Sequence, residues 1–222
     1  MKSMNPVAVL GAGGHAKVIV AALGAMGREV VGCFVRNPGP AAGTVLGAPV
    51  LDENILPEFL ARGVEVVLAI GDNALRARLA AKLATAGGAW ATVVHPSAIV
   101  EHGVVIEPGA MVCAGAVLQV DVRVGAHAIV NTSAHVDHDG VIGAFAHVGP
   151  GAHVAGDVTI EEGAFVATGA SVIPGRRVGA WSVVGAGGVV VTDVPERAVV
   201  VGVPARPRDD VGNNGPAAKK RS

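Results

Sequence analysis

His138 is the residue whose neighbours best equip it to move a proton. It lies in Asp137-His138-Asp139, the most polar point of a long aliphatic stretch. Imidazole titrates near neutral pH and is the usual general base there. A neighbouring carboxylate can hold one ring nitrogen, fix the tautomer and stabilise the imidazolium that forms. His138 and Asp139 supply both parts if the backbone turns between them. A surface histidine at a turn is the plain alternative. Five further histidines share the stretch: His102, His127, His135, His147 and His153. His135 and His153 are eighteen residues apart. Stacked imidazoles on neighbouring coils could ligate zinc, above all across a subunit interface. No three histidines fall at one locus in a single chain, so no metal ligands are assigned.

A second candidate is the glycine turn Gly11-Ala12-Gly13-Gly14-His15-Ala16. It follows the apolar run 7–10 and precedes an apolar, helix-forming run at 17–26. Gly11, Gly13 and Ala16 fit the looser form of the dinucleotide fingerprint. Glycines let the backbone approach a phosphate, and a helix N-terminus offers free N–H groups. A tight strand-to-helix connection is the plain alternative. The next strand, 29–35, ends in Arg36-Asn37. An NAD site would place an acidic residue near that point. Arg36 and Asn37 argue against NAD and allow a nucleotide or other phosphorylated ligand. A lone solvated arginine is the commoner fate.

These residues need a scaffold, and the first ninety-odd supply a small βαβ domain. Residues 37–57 are rich in proline and glycine and read as loop. Residues 64–70 read as a buried parallel strand ending at Gly71. Asp72 or Asn73 can cap a helix over 74–86. Its spacing predicts Leu75, Leu79 and Leu83 on the inner face and Arg76, Arg78 and Lys82 facing out. A final strand spans 90–94. The turn at Gly11–His15, Arg36-Asn37 and Gly71 then cluster at the carboxyl ends of the strands, where open α/β sheets bind ligands.

From Val100 to Val190 every sixth residue is a branched aliphatic, sixteen times without a slip. The residue four places later is usually small, as at Ala110, Ala116, Ala134 and Gly140. Neither the helical period nor the strand period gives six. A solenoid of short strands and tight corners does. Three hexads make one triangular coil, so residues eighteen apart stack at about 4.8 Å. Aliphatics fill a narrow prism, and function belongs to the residues that break the pattern.

Composition narrows the classes further. Hydrophobic residues make up 51% of the chain, yet no apolar run has the length of a membrane span. Met1 and the residues after it lack a secretory signal pattern. The net charge of −1, without a basic patch, makes nucleic acid an unsuitable partner. Two distant cysteines, Cys33 and Cys113, fit a reduced cytoplasm rather than a disulfide framework. The tail from Asp209 reads as disordered.

Several motifs now occur in order: GAGGHAK at 11–17, AIGDN at 69–73, HPSA at 95–98, NTS at 131–133, VDHDGVIG at 136–143, His147, Ala155-Gly156 and GVPA at 202–205. Together they resemble the NeuD/PglD-type sugar acetyltransferases over roughly residues 5–206. The resemblance implies a Rossmann-like sugar-nucleotide domain over 1–94, a left-handed parallel β-helix over 95–193 and a C-terminal extension over 194–222. It implies a homotrimer with active sites between subunits. The activity implied is acetyl transfer from acetyl-CoA to the amino group of a nucleotide-linked amino sugar, of the 4-amino-4,6-dideoxy type, in glycan biosynthesis. His138 matches the general base and Asp139 the acid beside it. His147 matches the histidine at the thioester, and Gly156 the glycine whose N–H faces the thioester carbonyl. Thr168 and Ala186 match CoA contacts. Gly13, Gly14, His15, Gly71 and Asn131 match contacts to the sugar nucleotide. Some relatives carry two aspartates where this chain has Arg36-Asn37, which alters the base or phosphate contacts. Some carry glutamate at Asp139, a longer reach. Sugar O-acetylation, a zinc hydrase on the same solenoid and a non-catalytic sugar-nucleotide scaffold are the competing readings.

Overall fold

The computed structural model describes residues 5–39, 43–85 and 87–208. The tail from Asp209 lies outside the described residues. The N-terminal sheet is built on β1 (Val7–Leu10), whose four residues are all buried. Apolar side chains on both faces require cover on both faces, as in a parallel sheet. The helix α1 (Gly14–Ala25) leads to β2 (Val30–Val35). Then come β3 (Thr44–Val45) and β4 (Ala48–Asp52), a 3₁₀ turn at Glu53–Ile55 and α2 (Leu56–Leu60). The strand β5 (Glu65–Leu68) and α3 (Asn73–Ala84) complete the domain. The order is β3-β4-β2-β1-β5, with β3 antiparallel to β4 and the other pairs parallel. The chain winds outward from β1 and then returns to its other side, so the topological switch lies beside Gly11. The segment read as loop at 37–57 therefore holds a strand pair, a 3₁₀ turn and the start of α2.

The solenoid has three walls: a six-stranded sheet containing His135–Val136, a five-stranded sheet containing Val141–Ile142 and an eight-stranded sheet containing His147–Val148. We call them the first, second and third walls. Up to Val189–Val190 the strands are parallel and pair eighteen residues apart, as in His135↔His153 and His147↔Phe165. Each of these has two residues, because period-2 alternation points the second inward and the corner follows at once. The aliphatic column is that inward residue, and its small partners such as Ala116 and Ala134 are fully buried.

Corners need left-handed backbone, which asparagine, aspartate and glycine tolerate best. Asp121, Asp139 and Asp157 stack at the corner between the first and second walls, with φ of 61°, 57° and 56°. His127, Phe145 and Trp181 hold the same conformation at the corner between the second and third walls.

The two domains share an interface. Trp90 pairs with Val66 in the N-terminal domain, and three residues on β6 (Val93–Val94) pairs with Met111–Val112 of the third wall. The residues expected to form one strand at 90–94 thus bridge two sheets. Apolar residues of α1 and β1 share a core with Met111, Cys113 and Ile129 of the third wall. Cys33 and Cys113 are both free and buried.

Arg76 does not face out. It is 0% exposed and points into the solenoid, whereas Leu75 is 37% exposed. Its guanidinium donates to the carbonyls of Ile70, His127 and Phe145 at 2.8, 2.8 and 2.6 Å, and to Asn73 Oδ1 at 2.9 Å. Asn73 in turn donates to the Gly163 carbonyl at 3.0 Å. The carbonyls exposed at the solenoid corners need donors once buried, and a five-donor fork fills that need better than leucine.

Candidate active site

Asp139 owes its position to the left-handed corner, and the turn brings its carboxylate back to the preceding residue. Asp139 Oδ2 lies 2.9 Å from His138 Nδ1. A carboxylate only accepts, so Nδ1 carries the proton and Nε2 is left with its lone pair. Asp137 Oδ1 accepts the His138 backbone N–H at 2.8 Å and fixes the start of the turn. The His138 side chain is 61% exposed. Its pKa is raised above 6.5, chiefly by the hydrogen bond to Asp139; burial opposes the rise, and the charges of Asp137, Asp139 and Asp157 add to it. One coil further on, Gly156 lies under this ring. A Cβ there would overlap the imidazole, with Cδ2 only 3.0 Å away. His138, Asp139 and Gly156 thus form one group at the corner between the first and second walls.

A second group lies on the third wall under the N-terminal domain. His147 and Asn131 are both buried. The Thr132 N–H holds Asn131 Oδ1 at 2.8 Å, which turns the amide N–H₂ towards His147 Nε2 at 3.0 Å. His147 therefore accepts at Nε2 and carries its proton on Nδ1. The His15 ring, from the start of α1, lies 6.3 Å from the His147 ring. Burial is the main force lowering the His147 pKa to about 3, with the charges of Arg76 and His15 adding to it. Burial and Arg76 lower His15 to about 4. His147 Nδ1 and His15 Nε2 are buried without a hydrogen-bond partner among the described residues. Buried polar atoms of this kind are uncommon and point to a bound group. The Gly71 backbone approaches His147 as well. Gly13 and Gly14 open α1, and the space where their side chains would project is empty to 4 Å. A ligand can therefore approach that backbone closely.

Thr168 and Ala186 lie one coil apart, exposed, at the corner between the third and first walls. Arg36 and Asn37 are exposed at the carboxyl end of β2. The sequence-derived residues thus fall into separate clusters: His138 with Asp139 and Gly156, and His147 with Asn131, His15 and Gly71. Sequence reasoning missed Arg76, Asn73 and the corner aromatics. The eighteen-residue spacing of His127 and Phe145 was the signal that could have revealed the last. Among the described residues, no group of three or more His, Cys, Asp or Glu side chains is arranged to hold a metal. The rings of His135 and His153 do stack, at 6.1 Å. No helix among them is long and apolar enough to cross a membrane.

Residues 6–83 match the family model for the PglD N-terminal domain. No curated protein matches the chain. The perosamine N-acetyltransferase of Caulobacter crescentus, solved as a mutant with CoA and GDP-perosamine, is 42% identical, with a TM-score of 0.88 over 93% of this chain and 98% of that one. The acetyltransferase domain of PglB from Neisseria gonorrhoeae, solved with acetyl coenzyme A, is 35% identical, with a TM-score of 0.85 over 92% of this chain and 100% of that one. WeeI from Acinetobacter baumannii is 27% identical, with a TM-score of 0.84 over the same shares. The left-handed parallel β-helix behind a Rossmann-like domain is their common architecture. The chain belongs to the NeuD/PglD-type family of acetyl-CoA-dependent sugar N-acetyltransferases.

Proposed function

We propose that the protein transfers the acetyl group of acetyl-CoA to the amino group of a nucleotide-linked amino sugar, of the 4-amino-4,6-dideoxy type, by direct attack in a ternary complex. The observation that carries this reading is the His138–Asp139 pair, whose 2.9 Å contact leaves Nε2 free beside Gly156. The perosamine relative, which binds CoA and GDP-perosamine, supports the choice of substrates.

The amine nitrogen attacks the thioester carbonyl carbon. His138 Nε2 takes the proton that the nitrogen sheds, and Asp139 stabilises the imidazolium. The tetrahedral intermediate carries an oxyanion, and the Gly156 N–H is the donor for it. One such donor is worth about 3 kcal/mol in the transition state. Collapse breaks the C–S bond, and the CoA thiolate leaves with a proton. No cysteine or serine nucleophile is needed, so holding the two substrates together is the larger task. His147, Thr168 and Ala186 hold acetyl-CoA. Gly13, Gly14, His15, Arg36, Asn37, Gly71 and Asn131 hold the sugar nucleotide.

His138 projects from the corner between the first and second walls, whereas His147 lies on the third. A corner of one copy set against the third wall of the next would join them, which supports a homotrimer with its sites between subunits. On this reading residues 1–94 bind the sugar nucleotide, 95–193 carry the chemistry and 194–222 extend from it.

A thiol-release assay with His138→Ala tests the mechanism. General-base loss predicts a fall in kcat of about 10²–10⁴, with the oligomer unchanged by size exclusion. A variant that keeps its turnover refutes the role. An acceptor with a hydroxyl in place of the amine should release no thiol.

A further inference from the structure

Arg76 is a buried cation that none of the roles above uses. Burial lowers its pKa to about 10, so it stays charged at neutral pH. Among the described residues no carboxylate lies within ion-pair distance of it. Taking a cation out of water without a counter-ion is costly, and neutral acceptors meet that cost here. Nη1 donates to the Ile70 carbonyl in the turn between β5 and α3. Nε and Nη2 donate to the His127 and Phe145 carbonyls, in successive coils of the solenoid. Nη2 also donates to Asn73 Oδ1, and Asn73 carries the series to a third coil at the Gly163 carbonyl. A guanidinium is a planar, rigid fork, so acceptors 2.6–2.9 Å away are held at fixed angles to one another. An ammonium would satisfy some of them without fixing those angles. The apolar core that the two domains share has no direction of its own, so directional contacts of this kind settle how the domains register.

The segments held by the fork end at residues of the candidate site. Ile70 immediately precedes Gly71, and Phe145 and Ala146 immediately precede His147. The Gly71 backbone in turn approaches His147. Asn73 also donates to the Ala164 carbonyl at 3.2 Å, beside Phe165, whose ring lies 4.9 Å from that of His147. On the reading above, Gly71 and His15 of the N-terminal domain hold the sugar nucleotide, and His147 of the solenoid holds acetyl-CoA. Arg76 therefore joins the two binding surfaces from behind while touching neither substrate.

We propose that Arg76 is a positioning residue: it locks the turn bearing Gly71 to the coil bearing His147 and so sets the placement of the two substrates relative to each other. The proposal rests on the roles given to those residues under the proposed function. Arg76→Lys keeps the charge and loses the fork. In a thiol-release assay with acetyl-CoA and GDP-perosamine, the acceptor bound by the perosamine relative, its kcat should fall about 100-fold, the scale of loss for a misplacement of about 1 Å. KM for each substrate should change by less than about threefold, because each keeps its own contacts. Asn73→Ala leaves Arg76 in place but removes one acceptor and the link to the third coil. It should show the same split with a loss of about tenfold, the scale of one hydrogen bond to a charged group, and it stands in if Arg76→Lys does not fold. Arg28→Lys is the control. Arg28 holds Glu65 at 2.8 Å, at the opposite end of β5 from Gly71, so its loss should lower Tm and leave kcat unchanged. Ring ¹H–¹⁵N spectra of the histidines give a readout without turnover: in Arg76→Lys the His147 and His15 signals should move and those of His138 should not. A kcat within about threefold of wild type in the folded variants, or a loss that Arg28→Lys reproduces, makes Arg76 a structural brace and overturns the proposal. A wild type that releases no thiol overturns the proposed function instead. The ring spectra then decide the clamp, and unmoved His147 and His15 signals overturn it.

Discussion

Acid should loosen the interface between the two domains, and His127→Phe should remove about half of the effect contributed by its two most buried histidines. His127 and His147 are 5% and 8% exposed. Burial, with the Arg76 charge adding to it, holds their pKa values at about 4 and about 3 instead of 6.5. Above pH 6.5 each is neutral whether the chain is folded or not, and neither affects stability. Below it the unfolded chain takes up protons that the folded chain refuses, so stability falls as the pH falls towards the folded values. One pH unit into that window costs about 1.4 kcal/mol per histidine. Between about pH 7.5 and 5.5 the pair therefore removes about 3 kcal/mol. His15, lowered to about 4, acts in the same direction. His127→Phe is a mild change. Its ring stacks on Phe145 at 5.2 Å, its Nδ1 has no partner among the described residues, and its carbonyl, which Arg76 uses, is backbone. Phe145 already holds the same corner conformation one coil on, with φ of 58°. Urea unfolding at the two pH values should show a loss about 1.4 kcal/mol smaller in the variant. Equal losses in wild type and variant would refute the assignment of a neutral, buried His127.

Two predictions concern the corner group. Asp139→Asn keeps a residue that tolerates left-handed backbone but replaces the charged carboxylate acceptor that raises the His138 pKa with a neutral amide. A base must be unprotonated to work, so the acid limb of kcat/KM, which should lie above pH 6.5 in the wild type, should move to lower pH as the maximum falls. An unmoved limb would mean that Asp139 does not control the base. Gly156→Ala introduces a Cβ where the His138 ring lies. His138 is exposed and can swing aside, so Tm should hardly change while kcat drops about 100-fold, the scale of loss when a catalytic group is displaced by about 1 Å.

The solenoid was legible because each coil repeats one packing problem. A narrow prism accepts only aliphatics such as Val136, Ile142 and Val148 at its inward positions, so burial is written into the spacing itself. The His138–Asp139 pair was legible for a related reason: a corner in a known register turns adjacent residues towards each other. Arg76 was not legible. Local helical spacing assigns it to solvent, and only the solenoid carbonyls packed against α3 give it partners. The same holds for residues 90–94, where pairing partners in two sheets decide the outcome rather than strand propensity. The separation of His138 from His147 onto different walls was equally hidden, because it depends on the handing-on of the chain from wall to wall.

A solenoid of parallel coils has no intrinsic length, since the last coil offers the same open edges as the one before. This chain closes all three. Val194 bridges to Val178 on the second wall, and the Ala205 N–H donates to the Val189 carbonyl on the first at 2.7 Å. On the third wall the strand Val199–Val201 is followed by Arg206–Pro207, which runs antiparallel. A reversed strand containing a proline is a poor template for another copy. The fourteen residues from 194 to 207 thus act as a stopper. They set the number of coils and protect the end of the prism from end-to-end polymerisation, leaving the side walls as the surfaces through which copies can meet.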